Sequence, residues 1–288
     1  MIPETVFSIS PNPRFVYQTA NIKAAISKTQ YVIRACQGLT TIIGDVGLGK
    51  TSLLRLMVND YEVDPNCTVA FIVNPKQSSE TAFLKAICAE FRVPTRRSLR
   101  ETEYELRSFL INEAKENRTA VLFVDEAQQL KGAMLEQIRQ ILNFETDDRK
   151  LLNVVLAGQI ELRYKLADPS KRALVSRIAV SSTLDALTPE ETRAMIDFRC
   201  KTADVHNPFE VDAIELIYTL SKGIPREVIK LCAVSVNHAT RNKMETIPAD
   251  LVEFASDDLV KPVEEVLTVR QAKSKAAKRA VKKVSTRK

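Results

Sequence analysis

The residues with the clearest chemistry form a glycine-rich stretch, GDVGLGKT, that runs from Gly44 to Thr51. It matches GxxxxGK[ST] in full and stands between an apolar β-branched run and a leucine-rich helical pattern, as a phosphate-binding loop requires. The glycines let backbone N–H groups point at phosphates, and the start of the helix adds positive partial charge. The pattern predicts that Lys50 reaches the β- and γ-phosphates and that Thr51 holds Mg²⁺. The predicted nucleotide contacts in this stretch are Gly44, Asp45, Val46, Gly47, Leu48, Gly49, Lys50, Thr51 and Ser52.

Two adjacent carboxylates form a second chemical signal, at the end of the apolar run AVLFVDEA at 120–127. Asp125 at a strand tip is suited to binding the nucleotide's Mg²⁺ through its water shell. Glu126 beside it is suited to polarising an attacking water as a general base. This second carboxylate favours hydrolysis of ATP by the protein itself over transfer to a small acceptor.

Two weaker signals lie further along the chain. Gln159, in AGQIELR, follows a strand pattern and is placed to contact a γ-phosphate or the attacking water. Arg226, in SKGIPREVIKL, begins a helical pattern and is placed to fold onto the nucleotide. A solvated surface glutamine and a solvated arginine are the ordinary alternatives for either residue alone.

The elements that must position these residues alternate along the chain. Near-continuous apolar strand patterns separated by amphipathic helical patterns predict an α/β fold, with a parallel sheet covered by helices on both faces. The predicted strands are 39–43, 68–73, 119–124, 152–157 and 178–183. The predicted helices between them are 50–60, 79–91, 98–116, 132–143 and 159–167.

The pattern changes near residue 186, after which only helical patterns follow. In LTPEETRAMIDFRC, Thr188 is a predicted N-cap, Pro189 the first helical residue and Glu191 its capping-box partner. The predicted domains are therefore an N-terminal segment packed on the core at 1–38, an ATPase core at 39–186, a helical lid at 187–260 and a basic, unordered tail at 261–288.

Composition narrows the class of protein. The chain has 288 residues, and its five cysteines and two histidines form no metal-ligand cluster. No membrane span and no signal peptide are predicted, so we expect a reduced, cytoplasmic protein. The net charge of +6 comes from the tail, because residues 270–288 hold nine Lys and Arg and no acidic residue. Four roles are open for this tail: binding nucleic acid, docking on a protein partner, docking on an anionic membrane surface, or no specific role.

The motifs GDVGLGKT, VDEA, AGQIEL, SRI and GIPR, in this order, resemble those of AAA+ ATPases over about residues 1–260. SPNPRFVY, FIVNPKQS, VDEAQQL and AGQIELR are similar to the AAA+ group that contains the secretion ATPase ExeA and the transposition regulators TnsC, TniB and MuB. Within that group the chain most resembles the TnsC-like regulators. The resemblance implies a P-loop NTPase sheet of order 5-1-4-3-2 with a C-terminal helical lid, and ATP bound between neighbouring subunits of a homo-oligomer.

The resemblance also implies roles for individual residues. Gln159 resembles the sensor-1 residue and Arg226 the sensor-2 arginine. Arg177, in VSRIAV, resembles the arginine finger that reaches a neighbour's γ-phosphate, and Arg172 is the second candidate for that role. Lys76, in NPKQSS, lies in a stretch that faces DNA in these regulators. Lys131 and Arg139 are further candidates for DNA contact.

Two functions from different classes follow from the resemblance. The first is an ATP-dependent regulator of transposition that assembles as a ring or helical filament on double-stranded DNA without reading its sequence. It would link a target-selection protein to the transposase, and hydrolysis would disassemble it. The second is an ExeA-like secretion-assembly ATPase, a class in which a membrane span and a cell-wall-binding domain follow the ATPase. No such segment is found in this sequence, which favours the regulator. A chaperone-like ATPase loader is a third possibility.

Overall fold

The computed structural model describes residues 3–10 and 12–259, which form two compact units. The sheet unit comprises residues 10–186, and the helical unit comprises residues 3–9 together with 187–259. The domain boundaries that the sequence predicts at 38/39 and 186/187 stay predictions. In the structure, residues 3–9 group with the helical unit and not with the segment that follows them.

The sheet unit is built on five strands. They are β1 (Leu39–Ile43), β2 (Cys67–Ile72), β3 (Thr119–Val124), β4 (Leu152–Gly158) and β5 (Ile178–Thr183). Every neighbouring pair is parallel, and the strand order is β2-β3-β4-β1-β5. This is the predicted order 5-1-4-3-2 seen from the other edge, so the predicted fold class is confirmed. All five residues of β1 and all seven of β4 are buried, which explains why these strands have apolar runs and no alternation.

Helices cover both faces of this sheet. They are α1 (Ala20–Arg34), α2 (Lys50–Glu62), α3 (Glu80–Glu90), α4 (Leu99–Lys115), α5 (Gly132–Ile141), α6 (Ile160–Leu166) and α7 (Arg172–Val175). Alternate residues of β3 separate the two layers, because successive side chains of a strand point to opposite faces. Val121 and Phe123 pack in one cluster with α1 and α2, whereas Leu122 and Val124 pack in the cluster that holds α3, α4 and α5.

The predicted bounds of the strands and helices in the sheet unit differ from the observed ones by at most two residues. β2 begins and ends one residue earlier than predicted, and α6 begins at Ile160 because Gln159 is its N-cap. Helix α7 was not predicted. Its four residues lie within KRALVSR and are too few to show a helical period.

The helical unit contains α8 (Pro189–Thr202), α9 (Val211–Ser221), α10 (Pro225–Arg241) and a further helix, α11, at 249–259. The predicted start of α8 is confirmed, since Thr188 and Glu191 form a complete capping box with Pro189 at the first turn. Gly223 joins α9 to α10 with φ +69°, and a Cβ there would lie 2.1 Å from the Leu187 carbonyl oxygen. Only glycine fits this approach. In the described part of the chain, no helix is long and apolar enough to cross a membrane.

The N-terminal residues of the helical unit are held by burial and by an arginine. Val6 and Phe7 are buried, and the Phe7 ring lies edge-on to Phe209 with ring centroids 5.8 Å apart. The buried side chain of Arg199 in α8 donates from Nε to the Val6 carbonyl oxygen at 2.7 Å. Burial lowers the pKa of Arg199 to about 10, which leaves it charged at neutral pH. These contacts explain why residues 3–9 pack with helices that lie far away in sequence.

Candidate active site

The glycine-rich loop joins the carboxyl end of β1 to the start of α2. Gly47 and Gly49 have φ of +87° and +89°, a conformation that a residue with a Cβ adopts at a cost. Lys50 is only 5% exposed, and its ammonium donates to the carbonyl oxygens of Gly44 at 2.7 Å and Asp45 at 2.8 Å. The structure therefore places the lysine head inside the curve of the loop, where the pattern predicts the phosphates.

The two oxygen ligands predicted for Mg²⁺ are adjacent. Thr51 Oγ1 donates to Asp125 Oδ2 at 2.5 Å, although the residues are 74 positions apart in sequence. Asp125 is 1% exposed, and desolvation raises the pKa of its carboxyl above the ordinary value. A buried carboxylate and a hydroxyl at the loop are the hard oxygen donors that Mg²⁺ prefers, so these residues fit the ion.

Burial of Asp125 leads to a pH-dependent prediction for stability without nucleotide or Mg²⁺. The pKa of Asp125 is higher in the folded protein than in the unfolded chain. In the pH interval between these two pKa values, the folded protein therefore binds more protons than the unfolded chain. Wild-type stability should therefore fall over this interval and stay lower above it. Asp125→Asn removes the buried charge, so we expect the variant to be the more stable protein at neutral pH, with the difference vanishing in acid.

Urea unfolding of the wild type and Asp125→Asn from about pH 4 to about pH 8 measures this difference. Asp148→Asn, at an exposed loop position, is the matched control and should track the wild type. If the wild type were more stable than Asp125→Asn at about pH 8, the hydrogen bonds of the Asp125 carboxylate would outweigh the cost of its desolvation.

Glu126 follows Asp125 in a left-handed backbone conformation, with φ +49°. Its N–H donates to Asp125 Oδ1 at 2.8 Å, which fixes the turn between the two carboxylates. Gln159 lies one residue past β4, the strand beside β1, and its Nε2 donates to Glu126 Oε2 at 3.1 Å. The structure thus brings together the predicted base and the predicted γ-phosphate sensor.

Arg177, the first candidate for the arginine finger, lies at the other edge of the sheet. Arg177 directly precedes β5, whereas the glycine-rich loop follows the carboxyl end of the parallel strand β1. A strand of this length separates its two ends by about 20 Å. Arg177 Nη2 donates to Asn143 Oδ1 at 2.7 Å, and Arg172 is exposed on α7. Arg177 is therefore not placed to act on a nucleotide bound to its own loop.

Arg226 lies in the helical unit as the second residue of α10, and its side chain is exposed. The motif GIPR around it is explained by local structure. Gly223 meets the Leu187 carbonyl closely, and Pro225 is the first residue of the helix. The predicted sensor-2 role of Arg226 stays a prediction.

The three candidate DNA contacts differ in exposure and in whether the side chain already has a partner within the protein. Lys76 is exposed, and Lys131 donates from Nζ to the Ser78 carbonyl oxygen at 3.0 Å, so these two lysines belong to neighbouring loops. Arg139 forms an ion pair with Glu136 on the same helix and is largely covered. Glu136 already neutralises the charge of Arg139, which makes it the weakest of the three candidates.

Sequence reasoning missed Gln128, which contacts both Glu126 and Gln159. It also missed Arg163, which donates from Nη2 to Thr183 Oγ1 at 2.8 Å where β5 ends. The doubled glutamine in VDEAQQL was the available signal for Gln128, but nothing local distinguishes it from Gln129 beside it.

The chain is similar in sequence to a described protein family and to a curated protein. Residues 33–166 match the family described as AAA domain. The chain is 35% identical over 234 residues to general secretion pathway protein A of Aeromonas hydrophila, a match that covers 80% of this chain and 42% of that protein. The chain therefore spans less than half the length of this curated relative.

Two solved structures are similar in fold. ORC2 of Aeropyrum pernix, in its ADPNP–ADP complexes, has a TM-score of 0.68 at 18% identity over 88% of this chain and 70% of that one. ORC1 of Aeropyrum pernix, in complex with DNA, has a TM-score of 0.65 at 16% identity over 89% of this chain and 69% of that one. At these identities the likeness concerns the fold alone.

Proposed function

We propose that this chain binds ATP at the glycine-rich loop and hydrolyses it as an AAA+ ATPase, a proposal supported by the match of residues 33–166 to the family described as AAA domain. The observation that carries the proposal is the contact of Gln159 with Glu126, at 3.1 Å, on the edge of the sheet where Lys50 and Thr51 also lie. A base, an amide and a phosphate-binding loop at one strand edge are the parts that hydrolysis requires.

Each residue has a distinct task in the proposed reaction. Lys50 exchanges its carbonyl partners for the β- and γ-phosphates, and Thr51 and Asp125 would hold Mg²⁺, which supplies charge neutralisation at the phosphates when bound. Glu126 accepts a proton from water while the water oxygen bonds to the γ-phosphorus. The bond between the γ-phosphorus and the β,γ-bridging oxygen breaks, ADP and phosphate leave, and Glu126 releases its proton to solvent.

We further propose that Arg177 completes this site in a neighbouring copy of the chain. Its place at the amino edge of β5 supports a role in trans, since its own loop lies at the opposite edge. A trans-acting arginine makes hydrolysis depend on assembly, because a monomer lacks the charge that stabilises the transition state.

Arg177→Ala should lower the hydrolysis rate of assembled protein by about 10³-fold and leave the slow rate of dilute monomer unchanged. The measurement is ATPase rate against protein concentration, with Arg172→Ala as the competing variant. If Arg172→Ala alone removes the concentration-dependent rate, the finger is Arg172. An equal loss for Arg177→Ala at all concentrations would indicate a role within one subunit.

We propose that the bound nucleotide switches the assembly of the protein on double-stranded DNA. The neighbouring positions of Lys76 and Lys131 support this, since two exposed lysines offer sequence-independent contacts with phosphates. A similarly folded protein, ORC1 of Aeropyrum pernix, has been solved with DNA. The finer proposal of a TnsC-like regulator, with transposase and target-selection partners, rests on the sequence motifs. The predicted role of residues 270–288 lies outside the described residues.

A secretion-assembly ATPase is the second candidate function. The 35% identity to general secretion pathway protein A of Aeromonas hydrophila favours it. The two candidate functions use the same ATP site. They differ in the partner that the nucleotide-bound assembly binds.

Negative-stain imaging of the protein with linear duplex DNA, with and without a slowly hydrolysed ATP analogue, separates the two. We expect rings or filaments on DNA with the analogue only, and none with Lys50→Ala. Intact ATPase activity without DNA association at low salt would overturn the DNA proposal and favour the secretion candidate.

A further inference from the structure

The two glutamines of VDEAQQL have different surroundings. Gln128 is half-buried and its side-chain amide is bonded at both ends, whereas Gln129 is exposed. Gln128 therefore has specific contacts, and the exposed Gln129 beside it offers a matched control for mutation.

Gln128 closes a three-residue ring at the predicted base. Its Nε2 donates to Glu126 Oε2, and its Oε1 accepts from the backbone N–H of Gln159 at 3.0 Å. Gln159 Nε2 donates to the same Glu126 oxygen at 3.1 Å. Two amide donors thus converge on Oε2, while Oε1 has no hydrogen bond within residues 3–10 and 12–259.

The surrounding backbone is shaped to admit this side chain. A Cβ on Gly158 would lie 3.0 Å from Gln128 Oε1, so a glycine at the end of β4 leaves room for the amide. Lys165 on α6 donates from Nζ to the carbonyl oxygens of Gln128 and, at 3.0 Å, Leu130. The turn after Glu126 is therefore tied to the helix that Gln159 caps.

This arrangement has a chemical consequence for a general base. Hydrogen bonds from two amides restrict rotation of the carboxylate about its last torsion and occupy the lone pairs of Oε2. The proton of an attacking water then has one acceptor, Oε1. Fixing the acceptor before the reaction lowers the cost of reaching the reactive geometry.

We propose that Gln128 is a positioning residue for ATP hydrolysis, which holds Glu126 Oε2 so that Oε1 accepts the proton of the attacking water. The inference rests on the proposed ATPase function. It assigns Gln128 no contact with the nucleotide, and nucleotide affinity should therefore not depend on it.

The test compares three variants by steady-state ATPase kinetics. Gln128→Ala should lower kcat by about 10-fold while KM and the nucleotide Kd change less than about twofold. Gln129→Ala should match the wild type. A rise in KM with unchanged kcat in Gln128→Ala would overturn the assignment.

Gln128→Glu separates positioning from space-filling. The variant keeps the size of the side chain and an acceptor for the Gln159 N–H, but it replaces the donor to Glu126 with a second carboxylate. We expect kcat to fall at least as far as in Gln128→Ala, and the acid limb of the pH–rate profile to move to higher pH, because like charges retain a proton longer. Wild-type kcat and pH profile in Gln128→Glu would show that Gln128 only fills space.

Failure of this inference is distinguishable from failure of the ATPase proposal. A wild type that hydrolyses no more ATP than Glu126→Gln, at any protein concentration and with or without DNA, would overturn the proposed activity. A wild type that hydrolyses ATP at the same rate as Gln128→Ala and Gln128→Glu would overturn the positioning role alone.

Discussion

Glu126→Gln is expected to bind ATP as tightly as the wild type and to hydrolyse it about 10²–10⁴-fold more slowly, the contribution typical of a general base. The amide has the size of the carboxylate, and its oxygen can still accept from Gln159 Nε2, so the fold of the site is retained. What is lost is the oxygen that accepts the proton of the attacking water.

If ATP drives assembly and hydrolysis reverses it, Glu126→Gln should also accumulate as the assembled form. Single-turnover hydrolysis and light scattering after ATP addition measure the two effects on one sample. Glu161→Gln, an exposed glutamate in the first turn of α6, is the matched control and should behave as the wild type. Rapid turnover by Glu126→Gln would remove Glu126 from the role of base.

The second large effect is expected for Lys50→Ala, which should weaken ATP binding by roughly 100-fold and prevent ATP-dependent assembly. Lys50 is 5% exposed and its ammonium already donates to the loop carbonyls, so its contacts with phosphates form in a partly desolvated site. Charge-assisted hydrogen bonds of this kind contribute about 1.5–3 kcal/mol, which is a factor of roughly 10 to 150 in Kd.

Titration with a fluorescent ATP analogue measures the Kd, and sedimentation with ATP measures assembly. Lys28→Ala, at an exposed position of α1, is the matched control for loss of one positive charge. Normal assembly of Lys50→Ala with ATP would show that the glycine-rich loop is not the switch, whatever its nucleotide affinity.

Local sequence patterns were sufficient to predict the parallel sheet and the strand ends at which the candidate site residues lie. The loop at Gly44–Thr51 and the carboxylates Asp125 and Glu126 each follow a strand rich in apolar and β-branched residues. Parallel strands present their carboxyl ends at one edge, so residues that follow different strands meet there without any knowledge of loop paths. This rule places Thr51 and Asp125 at the same edge of the sheet, where the structure shows a hydrogen bond between them.

The partners of the arginine side chains were harder to predict, because they depend on which oxygen atoms the fold brings near each guanidinium. Arg139 is a basic residue after VDEAQQL and looks like a candidate for phosphate contact, yet Glu136 covers it one turn away. Residues 3–9 look like the beginning of the segment that follows, yet Arg199 binds the carbonyl of Val6 across 193 positions of sequence.

The sequence by itself determined the parallel sheet, the glycine-rich loop and the strand-end carboxylates Asp125 and Glu126, because each depends on a local pattern and on the shared direction of parallel strands. The strand order followed from the family resemblance. Only the tertiary structure decided that Gln128, and not Gln129, joins Glu126 to Gln159. That choice depends on the left-handed turn at Glu126 and on the space left by Gly158, which is distant from Gln128 in sequence. Such side-chain directions are set where separate segments pack, and neither segment contains the information alone.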